Sequence, residues 1–285
     1  MSKRKIVYQG EPGANSDLAC REVYPRYTPV PCATFEDAFA AVRTGRAELA
    51  MIPIENSVAG RVADIHHLMP NSRLHIVAEH FMPVHHQLMA PRGASLKTIK
   101  SVESHVQALG QCRKTIRDLG IRAVVAADTA GSARIVAEAG DATRAAIASK
   151  LAAEIYGLKI LKRNVEDESH NTTRFIVLSR TPKWAKPAQR GKVVTTFVFE
   201  VRNVPAALYK ALGGFATNGI NMTKLESYMV GGTFSATQFY ADVEAHPTER
   251  ALELALEELE FVSRPRSMKI LGVYPAHPLR AKLTA

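Results

Sequence analysis

The sequence predicts an α/β chain in two parts: a largely parallel α/β region over residues 1–181, then a smaller ferredoxin-like βαββαβ sandwich over 192–273. Three observations predict it. Short apolar runs alternate with amphipathic segments through the first part, as strands joined by crossover helices do. Residues 181–191, Thr-Pro-Lys-Trp-Ala-Lys-Pro-Ala-Gln-Arg-Gly, lack periodicity and are rich in Pro and basic residues, as linkers are. Beyond them the elements fall in the order strand, helix, strand, strand, helix, strand.

Residues 6–8 read as a short strand ending at Gly10-Glu11-Pro12-Gly13, a turn with two glycines, and 16–24 as a helix. Thr34, three residues before Asp37, suits the N-cap of a second helix with Phe35, Ala38, Phe39 and Val42 on one face. Gly45 ends that helix. Residues 49–54 are continuously apolar, as in a strand buried on both faces, and run straight into Glu55-Asn56-Ser57. Further strands are expected over 74–78, 82–89, 123–127, 145–148 and 174–178, and helices over 104–119, 129–139 and 150–156. Ligands of such sheets bind beyond the C-terminal ends of strands. The glycine turn and Glu55-Asn56-Ser57 both sit at such ends.

In the second part, strands are expected over 192–201, 220–229, 233–243 and 267–273. A helix over 205–215 has Pro205 in its first turn, Leu208 and Leu212 on its core face and Asn218-Gly219 at its end. Gly231-Gly232 marks a hairpin. A helix over 248–259 sets Leu252, Leu256 and Leu259 at helical spacing.

Composition narrows the function. The chain has 285 residues, 46% of them hydrophobic, enough for two cores. No apolar run approaches the ~20 residues of a membrane span. The basic start has no apolar segment of signal-peptide length behind it, so the cytoplasm is the expected compartment. Cys20, Cys32 and Cys112 are too few and too scattered for a disulfide framework or a zinc site. The formal charge of +10 is dispersed, without a basic run interleaved with aromatics. That argues against nucleic acid and suits a small polyanionic substrate. His66-His67 and His85-His86 lack a third ligand at metal spacing, and adjacent residues on a strand face opposite sides, so no metal is expected. The glycine turn lacks the Lys-Ser/Thr of a phosphate loop, and no GxGxxG follows a strand, so no dinucleotide is expected either.

Pro53-Ile54-Glu55-Asn56-Ser57, then Ser104-His105-Val106-Gln107 with Gln111-Cys112, then Asn171-Thr172-Thr173-Arg174-Phe175, a linker and a βαββαβ domain follow one another in order. Read together, they resemble a prephenate dehydratase with an appended ACT domain, over roughly residues 4–273. The resemblance implies a catalytic region similar to periplasmic ligand-binding folds: two α/β lobes, one near 1–78 plus 173–180 and the other near 79–170, with the site in the cleft between them. It implies prephenate as substrate, phenylpyruvate as product and no cofactor. Ala14-Asn15 stand where the family commonly has Thr or Ala followed by an aromatic residue.

The residues implied to converge are Glu55, Asn56, Ser57, Ser104, Gln111, Thr173, Arg174 and Phe175, with Gly13 from the glycine turn. The chemistry asks for such types. Prephenate is a dianion that becomes aromatic on losing hydroxide and CO2, so the barrier is departure of the hydroxyl. A donor at that hydroxyl and a rigid grip on the carboxylates suffice. Thr173 is assigned as the donor and Arg174 as a carboxylate partner. Asn56, Ser104 and Gln111 are neutral donors. Glu55 is either an orienter or, with its pKa raised by burial, the proton source. Blander roles stay open: Ser104 as a helix N-cap, Thr173 as a strand former, Glu55-Asn56-Ser57 as a turn.

ACT domains resemble one another as amino-acid sensors that pair with further copies. The resemblance implies L-phenylalanine as effector and a homo-oligomer, a dimer or tetramer. The effector site would involve Ala207, Leu208, Asn221, Glu226 and Ser227. Ala206 takes the place of the family's glycine, and Tyr228-Met229 that of its Arg-Pro. The competing reading is a non-catalytic two-lobed binding protein with a sensor domain.

Overall fold

The computed structural model describes residues 4–187, 192–229 and 236–283. In chain order the elements are β1 (Lys5–Gln9), α1 (Asn15–Val23), β2 (Thr28–Cys32), α2 (Phe35–Arg43), β3 (Leu49–Asn56), β4 (Gly60–Arg61), α3 (Ala63–Leu68), β5 (His75–Pro83) and β6 (Gln87–Ala90). Then come β7 (Ser101–His105), α4 (Val106–Gln111), α5 (Arg113–Asp118), β8 (Arg122–Ala126), α6 (Thr129–Ala139), β9 (Arg144–Ala148), α7 (Lys150–Tyr156), β10 (Lys159–Lys162) and β11 (Thr172–Ser179). The remainder are β12 (Val193–Glu200), α8 (Ala207–Thr217), β13 (Met222–Met229), β14 (Ala236–Val243), α9 (Arg250–Val262), β15 (Lys269–Pro275) and α10 (Arg280–Leu283). They form two compact units, residues 1–62 with 80–175 and residues 63–79 with 176–285. This division cuts across the linear boundary expected near 181–191.

In the first unit β1 pairs in parallel with β2 on one side and β3 on the other. A second sheet has the order β10-β6-β9-β7-β8. Its central strands are apolar because helices cover both faces. Ala108, Leu109 and Cys112 pack with Leu88, Val102 and Ile147 on one side. Ala130, Ala133, Val136 and Ala152 pack with Met89, Ala146 and Ala148 on the other. Thr34 caps α2 as expected, its hydroxyl accepting from Asp37 N at 3.1 Å.

The second unit is an antiparallel sheet of order β13-β14-β12-β15, with α8 and α9 on one face. Phe197 stacks on Phe215, and Phe199 on Phe239, in that core. Residues 63–79 belong here because β5 lies parallel to β15, with Ile76 opposite Gly272. A Cβ at Gly272 would stand 2.7 Å from the Ile76 Cβ, so only glycine allows this approach.

Several expectations need correction. Residues 82–89 do not form one strand: β5 runs on to Pro83, and His85 and His86 lie in the link to β6. β2 and β10 were not expected. Ser104 does not start a helix. It pairs with Val125 at the end of β7. The cap of α4 is His105, whose ring accepts from Gln107 N, and the helix breaks at Cys112 before α5 begins. Pro205 lies outside α8, whose buried face is Ala211, Gly214 and Phe215. Leu208 packs beside that face, and Leu212 is only half-buried. Part of the expected linker is fastened down: Ala185 N donates to Val273 O, and Ala185 O accepts from His246 Nε2. The Gly231-Gly232 hairpin lies outside the described residues.

Candidate active site

β3 ends where its apolar run meets Glu55-Asn56, with Asn56 opposite Gly60 of the short antiparallel β4. The Asn56 side chain is oriented by its own loop: Oδ1 accepts from Val58 N (3.0 Å) and Ala59 N (2.8 Å). Its amide group therefore faces away from the loop and donates to Asn171 Oδ1 (2.7 Å) and Thr173 Oγ1 (3.0 Å), with a longer contact to Thr172 O (3.3 Å). Asn171 in turn donates from Nδ2 to Gln111 Oε1 at 2.9 Å. Gln111 Oε1 also meets His86 Nε2 at 2.8 Å. Residues 56, 111 and 173, far apart in sequence, are thus joined in one hydrogen-bonded row.

The consequence for Thr173 is chemical. Its oxygen accepts from Asn56, which leaves its O–H as the group that can donate outward. Asn56, Gln111 and Thr173 are all partly exposed, whereas Asn171 between them is buried. Ser57 ties the two strand ends together: its N–H donates to Thr172 O (2.9 Å), its hydroxyl donates to His170 O (2.7 Å), and the same hydroxyl accepts from Thr172 N (2.9 Å).

Arg174 and Glu55 pair at 2.8 Å. The arginine side chain is 2% exposed and the carboxylate 32%, and the guanidinium stands 5.8 Å from the Phe81 ring centroid. Three expected residues face inward. Ser104 is fully buried, its hydroxyl donated to Ile147 O at 2.6 Å. Phe175 is buried in the core. Gly13 (φ 90°) accepts from Ser149 Oγ and donates to Asp17 Oδ2. A Cβ at Gly13 would lie 2.7 Å from Ala152 Cα, so its part is close packing against α7. In this conformation none of the three has a side chain free to touch a substrate.

Beside Gln111 and Asn171 lies a cavity of about 210 Å³ bordered also by Val58, Arg113 and Glu166. Burial pushes the Glu166 carboxyl up. The His85 hydrogen bond (2.9 Å) and the His86 N–H (2.9 Å) outweigh it and hold the group below the usual carboxylate range. Burial also lowers the His86 pKa, so the imidazole is neutral near pH 7. Among the described residues no cluster of three or more His, Cys, Asp or Glu is arranged to hold a metal. No helix among them is long and apolar enough to cross a membrane.

Asn171, His86 and Glu166 were not among the expected site residues. Asn171 stands in the quoted motif two positions before Thr173, which is the one signal that could have found it. His86 and Glu166 carry no local signal, because their partners are 25 and 80 residues away.

In the second unit Leu208 packs on the core and Ala207 opens α8. Asn221 donates to Glu244 Oε2 (2.6 Å), and Glu226 pairs with Lys224 (3.3 Å). Ser227 is exposed on β13, at the edge of the sheet.

The chain is 54% identical over 280 residues (98% of this chain, 99% of the relative) to a bifunctional N-acyl-homoserine lactone acylase/prephenate dehydratase of Komagataeibacter europaeus. It is 40% identical over 98% of its length, and 74% of the relative's, to arogenate dehydratase/prephenate dehydratase 1 of Arabidopsis thaliana. A crystal structure of prephenate dehydratase from Arthrobacter aurescens in complex with L-Phe matches with a TM-score of 0.86 at 31% identity, covering 96% of this chain and 94% of that one. Residues 6–183 match the prephenate dehydratase family. The row of amides ending on a threonine hydroxyl thus belongs to an enzyme of the carbon–oxygen lyase class, and the chain is a member of the prephenate dehydratase family.

Proposed function

We propose that the protein converts prephenate to phenylpyruvate, CO2 and water, with Thr173 donating to the departing ring hydroxyl. The observation that carries this is the Asn56-to-Thr173 hydrogen bond, in which the threonine oxygen accepts and its hydrogen is left available to donate. A threonine is too weak an acid to give up its proton freely near pH 7. Its contribution is a preorganised hydrogen bond, worth about 10²–10³ in kcat for a donor of this kind. Gln111 holds a carboxylate through its amide hydrogens, since its oxygen is engaged by Asn171. Glu55 and Arg174 set the charge beside the reacting ring. Aromatisation supplies the driving force, so the scheme calls on no cofactor.

The βαββαβ unit is read as an ACT domain that binds L-phenylalanine near Ala207, Leu208, Asn221, Glu226 and Ser227 in a cytoplasmic homo-oligomer. The Arthrobacter relative was crystallised with L-Phe, which supports the effector. Supplying prephenate to the purified protein and following phenylpyruvate, with and without phenylalanine, tests the whole reading. Turnover that survives Thr173→Ala undiminished removes the assigned donor. No calorimetric heat and no inhibition with phenylalanine removes the effector. Arogenate in a parallel assay separates the two substrates that the plant relatives' names pair.

A second activity deserves an arm of the same experiment. The Komagataeibacter relative is named for an acylase as well, and the match spans 99% of it, leaving no extra domain to house that chemistry. Burial raises the Cys20 and Cys112 thiols above their ordinary range, which argues against a thiolate nucleophile there. Fatty-acid release from an N-acyl-homoserine lactone assigns the activity to this chain; its absence at concentrations that turn over prephenate removes it.

A further inference from the structure

His86 has no part in the chemistry above, yet it is buried and ends the amide row. The polarity of that row is set from the opposite end. Two backbone N–H groups hold Asn56 Oδ1, so its amide hydrogens face Asn171 and Thr173. Asn171 therefore shows Oδ1 to Asn56 and Nδ2 to Gln111, and Gln111 shows Oε1 to Asn171. An oxygen at that point requires His86 Nε2 to be the donor. The backbone that carries the ring is anchored: Glu166 accepts the His86 backbone N–H on Oε2 and meets His85 Nδ1 with Oε1.

We propose that His86, as the Nε2–H tautomer, is a positioning residue that fixes the Gln111 amide so that its NH2, and not its oxygen, meets the anionic substrate. The proposal rests on the dehydratase reading of the same site. With both Asn171 and His86 donating to Oε1, rotating the amide by half a turn would break two hydrogen bonds and aim NH2 at two donors. With Asn171 alone, only one bond resists. A rotated Gln111 would then set a carbonyl dipole against a carboxylate, weakening the grip that the reaction needs.

The test uses the full chain labelled with 15N-histidine. Long-range 1H–15N imidazole spectra read the His86 tautomer without any turnover. A proton on Nε2 with bare Nδ1 is expected; a proton on Nδ1 with bare Nε2 overturns the proposal. Kinetics with prephenate give the second arm. His86→Phe removes the donor and should lower kcat by about 10–100-fold, the range for partners that orient a ligating group, with a smaller rise in KM. His86→Gln restores an N–H at similar reach and should recover most of that loss. Equal losses in the two variants, or wild-type kinetics in His86→Phe, overturn the proposal. Should His86→Phe not fold, the Gln variant and the tautomer spectrum decide. A wild-type protein that makes no phenylpyruvate sinks the dehydratase reading instead, and the spectrum still judges the hydrogen-bond polarity.

Discussion

Arg174 in the first unit and Arg280 in the second are both buried against a glutamate, and their surroundings differ. Arg280 sends Nε and Nη2 to the two oxygens of Glu79 (2.6 and 2.8 Å) and Nη1 to Thr223 Oγ1 (3.0 Å). Nη2 also stands 3.6 Å from Asp242, and the exposures of Arg280 and both acids are 9% or less. Arg174 makes a 2.8 Å contact with a carboxylate that is one-third exposed and adjacent in sequence to Asn56. A cluster closed on every side is structural. A pair whose acid reaches water, at the end of a strand and beside a polar row, can respond to a ligand. That difference separates a closed structural cluster from a pair placed at the proposed site.

The strongest way to break the comparison is Arg280→Ala. It leaves Glu79 and Asp242 as buried charges without their guanidinium, a loss of about 3–5 kcal/mol in unfolding free energy by urea titration. Specific activity per folded molecule should hold. A midpoint that does not move would make this pair no more structural than a surface one.

Glu55→Gln should bear more on activity. The amide keeps a hydrogen-bonding shape and removes the charge. The Gln oxygen can still accept from Arg174, but a guanidinium that is 2% exposed loses its charged partner, so the loss should exceed the ~1 kcal/mol of a surface pair while staying below the ~3–5 kcal/mol of a fully buried one. The kcat for prephenate should fall about 10²-fold or more if the carboxyl takes part in proton movement. An unchanged kcat reduces Glu55 to a partner that merely seats Arg174.

Acid sharpens the contrast further, because buried groups of the first unit titrate. The folded His86 pKa lies below its ordinary 6.5, so the unfolded chain takes the proton first as pH falls. Stability is full above about 6.5 and declines as the pH drops through the folded value. Glu166, held below its ordinary 4.5, adds a second loss lower down with the same sign: present above 4.5, lost as pH falls through the folded value. Urea midpoints at pH 7.5, 5.5 and 4 should decrease in that order. His75 in the second unit is also lowered, by burial and Lys269, and adds to the same step, so His86→Phe should reduce the step between 7.5 and 5.5 and leave the lower one. A step that stays undiminished in that variant belongs to other groups.

What was legible in the sequence was whatever a local pattern encodes. The periodic helices α6 and α7 fall where expected, and Thr34 caps α2. β2 was hidden because Pro29 and Pro31 argue against a strand. They are tolerated since β2 is the edge of its sheet, where those positions need no second partner. The run of β5 through Glu79 was hidden because a charged residue reads as a break, and the arginine that satisfies it is 201 residues away. The same distance problem governs the site. The spaced motifs named Asn56, Gln111 and Thr173, which the fold joins in one hydrogen-bonded row, and also Ser104 and Phe175, which it buries. Motif membership identifies neighbours in sequence and not their exposure: Thr173 and Phe175 share one face of β11, and position along the strand separates them, the strand end being open and its middle covered.

The smallest expected effect concerns strain. Gly13 and Ala206 both adopt positive φ, 90° and 60°, one in each unit. At Gly13 the glycine is required twice, by its backbone angle and by the 2.7 Å approach to Ala152 Cα, so Gly13→Ala should destabilise the first unit by more than the left-handed penalty of about 1–2 kcal/mol. At Ala206, exposed ahead of α8, a methyl group occupies the left-handed region with nothing gained from packing. Ala206→Gly should therefore relieve strain in the folded chain, less the extra freedom glycine gives the unfolded one. A net rise of about 0.5–1 kcal/mol in the urea unfolding free energy follows. A decrease would mean that chain entropy outweighs the strain, and that an alanine there costs the second unit nothing.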